Sequence, residues 1–232
     1  MSAVAKFSGR GLIARIARRL RRHVDRQLYE VGYGWGPRLR SEIRKRWILL
    51  SHRHANIVFE GRVHIGPDFS LYIPGGGTFI VGDDVEFRRG FRAEVVDNGR
   101  VVIGARCVFS YYSLIQCSTS VEIGEGCGFG QSSAIFDGNH HFKDLDKPFM
   151  HQGFELRAIR IGKECGVLTK TTVINDIGDR SQIGANSVVA KPIPAYCVAA
   201  GVPARVLDYF GPEDQRPPEA AHLRSNGAAS RS

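Results

Sequence analysis

An isoleucine, valine or phenylalanine recurs every sixth residue through much of this chain, often followed by glycine. Ile103, Phe109 and Ile115 form one run, and Ile123, Phe129 and Ile135 a second. Ile161, Val167 and Val173 form a third, and Ile177, Ile183 and Val189 a fourth. That period fits neither the roughly 3.6-residue turn of an amphipathic helix nor the two-residue alternation of a strand. It suits an all-β solenoid of triangular section, in which each hexapeptide supplies one short strand and one corner. The large apolar residue points to the axis, and glycine or another small residue lets the chain turn. Stacked coils then share one continuous core.

The repeat is expected over residues 56–207. Its first coils are less regular, running through Ile65, Leu71, a Pro74-Gly75-Gly76-Gly77 corner, Phe79, Val85 and Phe91. Two irregularities interrupt the later part. Val173 and Ile177 are only four apart, which shortens one corner. Ile135 and Ile161 are separated by 26 residues, and the sequence between them turns polar. A loop of roughly 20 residues leaving a regular fold is a place to look for function.

Charge is unevenly placed. Residues 1–54 carry 14 Lys+Arg and 3 Asp+Glu, a net +11, whereas the rest carries 18 and 20, a net −2. A basic footprint confined to one segment, without a base-reading motif, argues against a nucleic-acid partner. Residues 11–30 read as a basic amphipathic helix with Leu12, Ile16, Leu20, Val24 and Leu28 on one stripe. Two roles stand open for it: attachment to an anionic membrane surface, or packing on the solenoid or a partner subunit. Residues 32–37 read as a turn and 41–50 as a second short helix. These give a basic helical extension over 1–55, and 208–232 read as an unordered polar tail.

The five cysteines form no CxxC pair. Buried free thiols and a reducing, cytoplasmic setting follow, with peripheral attachment to the inner membrane face if the N-terminal helix binds lipid. No apolar run reaches the ~20 residues of a membrane span. The Arg-rich, acid-poor residues 1–24 formally match a mitochondrial presequence too.

The polar loop holds Asp137, His140, His141, Asp144, Asp146 and His151. Adjacent histidines near carboxylates suit a general base, a metal site or plain solvated residues. A metal needs converging ligands, and neighbouring histidines usually point apart, so no metal is expected. A base needs one ring nitrogen free and the other held by a carbonyl or carboxylate. Asp137 and Asp144 are the nearest carboxylates for that task.

Residues 161–207 strongly resemble the end of a hexapeptide-repeat acyltransferase: IGANSVV, Lys191-Pro192-Ile193-Pro194 and GVPARV follow in that family's order. The stretch from Ile123 to His140 resembles the maltose and galactoside acetyltransferases without a gap. The loop pattern over 137–144 is closest to the branch that O-acetylates sugars and surface polysaccharides. The resemblance covers about two-thirds of the chain and implies a left-handed parallel β-helix, a hand that runs against the usual crossover preference. It further implies a homotrimer with sites between subunits, acetyl-CoA as donor, a sugar or glycan hydroxyl as acceptor and His140 as base. It places Lys191 and Arg205 near the coenzyme phosphates, and backbone around Gly184, Ala185, Ala200 and Gly201 along the pantetheine arm.

The chain departs from the family in three places. Gly166 stands where a Trp is common, Ala190 replaces a Thr, and Ser110-Tyr111-Tyr112-Ser113 lacks the substrate-binding Asn of the galactoside branch. Tyr111, Tyr112 and Arg88 are acceptor-site candidates, the arginine suiting an acidic sugar; Arg89 and Arg92 stand beside it, and a structural charge ladder is the other reading of the three. An N-acyltransferase on an amino sugar and a non-catalytic assembly protein remain as alternatives. A zinc hydratase on this fold needs three histidines at two coil edges, and the sequence does not supply them.

Overall fold

The structure, a computed structural model, describes residues 35–221 and residue 223. The basic stripe of residues 11–30 lies outside the described residues. Among the described residues the chain is mostly short strands in parallel sheets, with one α-helix, α1 (Trp35–Ser51).

Strands fall on three sheets in strict rotation. The first circuit is β1 (Asn56–Phe59), β2 (Val63–Ile65) and β3 (Ser70–Tyr72); the second is β4 (Thr78–Val81), β5 (Val85–Phe87) and β6 (Arg92–Val95). The third is β7 (Arg100–Ile103), β8 (Val108–Phe109) and β9 (Leu114–Cys117); the fourth is β10 (Ser120–Ile123), β11 (Gly128–Phe129) and β12 (Ala134–Phe136). An antiparallel pair, β13 (Gly138–His140) with β14 (Phe154–Leu156), then leaves the rotation. The fifth circuit is β15 (Ile159–Ile161), β16 (Gly166–Val167) and β17 (Thr172–Val173). In the sixth, a single bridge at Ile177 precedes β18 (Gln182–Ile183) and β19 (Val188–Val189). A bridge at Ile193 and β20 (Cys197–Gly201) follow, and β21 (Ala204–Tyr209) folds back antiparallel on β20. Each strand in the rotation pairs in parallel with the strand three positions on, so the first sheet reads β1-β4-β7-β10-β15.

Every residue of the six-residue pattern from Ile103 to Val189 is buried. Aromatic rings stack along the axis, with Phe87 and Phe109 centroids 5.2 Å apart and Phe109 and Phe129 4.5 Å apart with parallel planes. Such stacks add ~0.5–1.5 kcal/mol per pair beyond burial. The glycine after the apolar residue, however, is not the turning residue. Its role is close stacking: a Cβ on Gly104 would lie 2.6 Å from the Glu125 nitrogen. The turn falls two residues later, at Arg106 with φ of 58° and likewise at Asp84 and Glu164, in the left-handed region. The corner therefore tolerates long side chains there, at the modest cost of a non-glycine left-handed residue.

All five cysteines are buried and unpaired. Burial, with Asp137 nearby, pushes the Cys117 thiol up to about 12. Hydrogen bonding with Cys127 and burial raise Cys107 and Cys165.

The helix α1 starts earlier than the sequence suggests and absorbs Trp35-Gly36-Pro37, since proline is well tolerated in a first helical turn. It closes the open edge of β2. Ser41 Oγ donates to the Val63 carbonyl at 3.1 Å and accepts the Ile65 amide at 2.7 Å, and Arg44 donates to the Ile65 carbonyl at 2.8 Å. Covering that edge satisfies groups that would otherwise invite another strand. At the other end, the stretch read as unordered is ordered through residue 221, with 3₁₀ turns at Glu213–Gln215 and Pro218–Ala220. Buried Tyr209 and Ala220 anchor it, Arg216 stacks on the Tyr209 ring at 4.8 Å, and the Tyr209 hydroxyl donates to Pro212. No helix among the described residues is long and apolar enough to cross a membrane.

Candidate active site

The polar loop is a hairpin that springs from the edge between the third and first sheets, after β12 and before β15. His140 closes its ladder opposite Phe154. The imidazole is half-buried between aromatic rings, with centroids 4.8 Å from Phe149 and 4.2 Å from Phe154. Its Nδ1 is enclosed and has no hydrogen-bond partner among the described residues. Those two phenylalanines carried no signal in the sequence, because their approach depends on the hairpin register. His141 is exposed and contributes its backbone amide to the Gly153 carbonyl at 3.0 Å. His151 is exposed on a 3₁₀ turn.

Neither candidate carboxylate is a hydrogen-bond partner of His140. Asp137 is buried and faces the preceding circuit, where its oxygens accept the amides of Ser118 at 2.8 and 2.9 Å and of Thr119 at 2.6 Å. It anchors the root of the hairpin to the corner between β9 and β10, and the Arg157 amide returns to its carbonyl at 2.7 Å. Asp144 is held inside the loop, by Lys147 at 3.2 Å and by the Asp146 amide at 3.1 Å. Asp137→Ala is expected to destabilise the fold by about 1–3 kcal/mol, since it takes a charged acceptor from the part-buried amides of Ser118 and Thr119. Asp137→Asn keeps an acceptor oxygen and costs less. Thermal unfolding of the two variants checks the order; equal midpoints would remove the anchoring role.

The remaining candidates divide between two edges. Lys191 follows β19 and lies exposed on the same third-to-first edge as the hairpin, two circuits further on. Gly184 and Ala185 follow β18, and Ala200 and Gly201 end β20; both pairs lie on the second-to-third edge. Gly184 donates to the Ala199 carbonyl at 2.8 Å, and Gly201 donates to Ser187 Oγ at 3.0 Å, so these corners stack directly. Arg205, exposed on β21, is in register with Ala200. Tyr111, Tyr112 and Arg88 sit on that second edge too, three to five circuits nearer the N-terminus. Arg88 lies over the Tyr111 ring at 5.8 Å and pairs with Glu86 at 2.9 Å, and Tyr112 is exposed. One chain thus puts His140 and Lys191 on one edge and every other candidate binding group on another, with the third sheet between them. No cluster of metal-ligating side chains occurs among the described residues.

No protein-family profile matches the chain. The chain's relatives include proteins named for acetyl transfer. Rv3034c of Mycobacterium tuberculosis, named as a probable acetyltransferase, is 27% identical over 172 residues, which is 69% of this chain and 55% of that protein. The chain therefore spans just over half of that relative's length. WbbJ of Escherichia coli, named for O-acetyl transfer in lipopolysaccharide biosynthesis, is 29% identical over 154 residues, or 62% of this chain and 79% of that protein. Among solved structures, the N-acyltransferase AntD of Bacillus cereus, in complex with dTDP and 3-hydroxybutyryl-CoA, superposes with a TM-score of 0.59 over 71% of this chain and 88% of that one, at 15% identity. That likeness is one of fold. The chain is thus similar in sequence to proteins named as acetyltransferases, and similar in fold to an N-acyltransferase.

Proposed function

We propose that this chain is a coenzyme-A-dependent O-acetyltransferase acting on a hydroxyl of a sugar or surface-polysaccharide precursor. The observation that carries the reading is His140, presented on a hairpin at the exposed edge of an otherwise regular stack and oriented by packing on Phe149 and Phe154 rather than by a carbonyl or carboxylate on Nδ1. The imidazole takes the proton of the acceptor hydroxyl. The freed oxygen attacks the thioester carbonyl, a C–O bond forms as the C–S bond breaks, and the proton passes to the departing thiolate. A backbone amide stabilises the oxyanion. No covalent acyl-enzyme is needed, and the cysteines, all buried, are not placed to form one. Acetyl-CoA is the donor, as AntD's complex with an acyl-CoA supports by analogy of fold.

In this reading the rotation of three sheets is a left-handed parallel β-helix over 56–207, between a basic extension (1–55) and a short tail (208–232). The protein is a homotrimer. Joining the His140 edge of one copy to the second-to-third edge of the next unites His140 with Gly184, Ala185, Ala200 and Gly201. A head-to-tail contact of this kind closes into a ring. Lys191 and Arg205 hold the coenzyme phosphates. On the neighbour's edge, Tyr111, Tyr112 and Arg88 lie on the opposite side of the His140 level from the coenzyme corners, so acceptor and donor enter from opposite ends.

An N-acyl transfer is the second reading, favoured by the fold shared with AntD. The test is release of coenzyme A from acetyl-CoA with sugar nucleotides as acceptors, with and without a free amine. The O-transfer reading expects an alkali-labile product from amine-free acceptors. Turnover only with amino sugars, giving an alkali-stable amide, would replace it; none with either would remove both.

A further inference from the structure

Helix α1 has two faces with different jobs. Ser41, Arg44 and Ile48 turn towards β2, and Ile48 is buried. Leu39, Ile43, Trp47 and Leu50 follow at spacings of four, four and three, and all are more than half exposed; Trp47 is 71% exposed. At about 100° per residue these four fall within an arc of roughly 80°, centred roughly 130° round the helix from the docked face. Arg40 and Arg46 stand at the two margins of that arc. Within the helix there are five basic residues and one acid, Glu42, which pairs with Lys45 at 2.8 Å.

We propose that this stripe is the surface by which the chain docks on an anionic lipid bilayer. A row of large apolar side chains with tryptophan in it and arginines at both margins suits the headgroup boundary, where an amphipathic ring and cationic heads sit together. Charge decides between occupants. Helix α1 carries a net +4, whereas residues 55–232 carry a net −2, so an anionic surface attracts the helix rather than the stack behind it. A second copy of α1, or the basic segment of residues 11–30 laid on it, would bring like charges together. Because Ser41 and Arg44 fix α1 to the edge of β2, insertion of the stripe would hold the first circuit at the bilayer and set the direction of the whole stack.

The two tryptophans of the chain are Trp35 and Trp47, so Trp35→Phe leaves Trp47 as the sole reporter. The full-length Trp35→Phe chain would be mixed with vesicles of phosphatidylcholine, with and without phosphatidylglycerol. Co-flotation with the anionic vesicles only, a blue shift of Trp47 emission and its quenching by lipids carrying bromine on the acyl chains are expected. High salt should weaken binding by screening. Leu39→Ser/Ile43→Ser/Leu50→Ser, three exposed positions that leave the Ser41 contacts intact, should lower flotation ~10-fold or more with an unchanged melting point. Flotation without any change at Trp47 would assign lipid binding elsewhere and overturn the proposal. So would Trp47 emission that is already blue in lipid-free protein and red-shifts on dilution, which would assign the stripe to a second copy. Absence of flotation would overturn it outright.

Discussion

Replacing His140 with alanine should lower acetyl-transfer turnover by ~10²-fold or more, the usual contribution of a positioned proton acceptor. Affinity for acetyl-CoA should hardly change, because no coenzyme contact is removed. That separation is the signature of a group that acts on the reacting proton. His141→Ala is the control within the same hairpin. Its side chain is exposed and only its backbone amide holds the ladder, so the substitution should cost little. Steady-state turnover with calorimetric titration of acetyl-CoA checks both. If His141→Ala is the inactive variant, the neighbour is the base; if neither loses turnover, the hairpin is not the seat of proton transfer. His140 also packs on Phe149 and Phe154. His140→Gln, closer in bulk, should fail as badly as alanine, whereas a packing role would be partly restored.

Much of the core was legible because a period of six has one structural outcome: each repeat must bury the same position against the repeats above and below. Ile103, Phe109 and Ile115 sit on three different sheets of one circuit, and Ile123, Phe129 and Ile135 pair with them one circuit on. The interruption after Ile135 likewise announced the hairpin, since 26 residues do not fit a repeat of six. Glycine was misread for a definite reason. Sequence shows that a residue is small, not whether smallness serves a bend or a close neighbour, and Gly104 and Gly162 serve the neighbour.

The site was less legible because its partners are set by register across circuits. Asp137 looked like a companion to His140 from a separation of three residues, yet its carboxylate turns to Ser118 and Thr119, 19 and 18 residues back but one circuit away. Phe154 comes beside His140 only through the antiparallel ladder. The ordering of the tail rests on Tyr209 and Ala220, two apolar positions in a polar stretch that local composition outweighs. The division of candidates between two edges could not be read at all until each hexapeptide was assigned to a sheet.

That division is the centre of the account, and subunit mixing tests it most directly. His140→Ala disables one edge. Ala185→Trp, at an exposed corner where bulk obstructs the pantetheine arm without entering the core, disables the other. Each variant alone should be inactive. Trimers formed by dissociating and reassociating an equal mixture contain, whenever both types are present, one joint that pairs an intact His140 edge with an intact Ala185 edge. Random three-fold assortment then restores about one quarter of wild-type activity. A mixture as inactive as its parents, despite mixed trimers confirmed by native mass spectrometry, would contradict a site shared between copies.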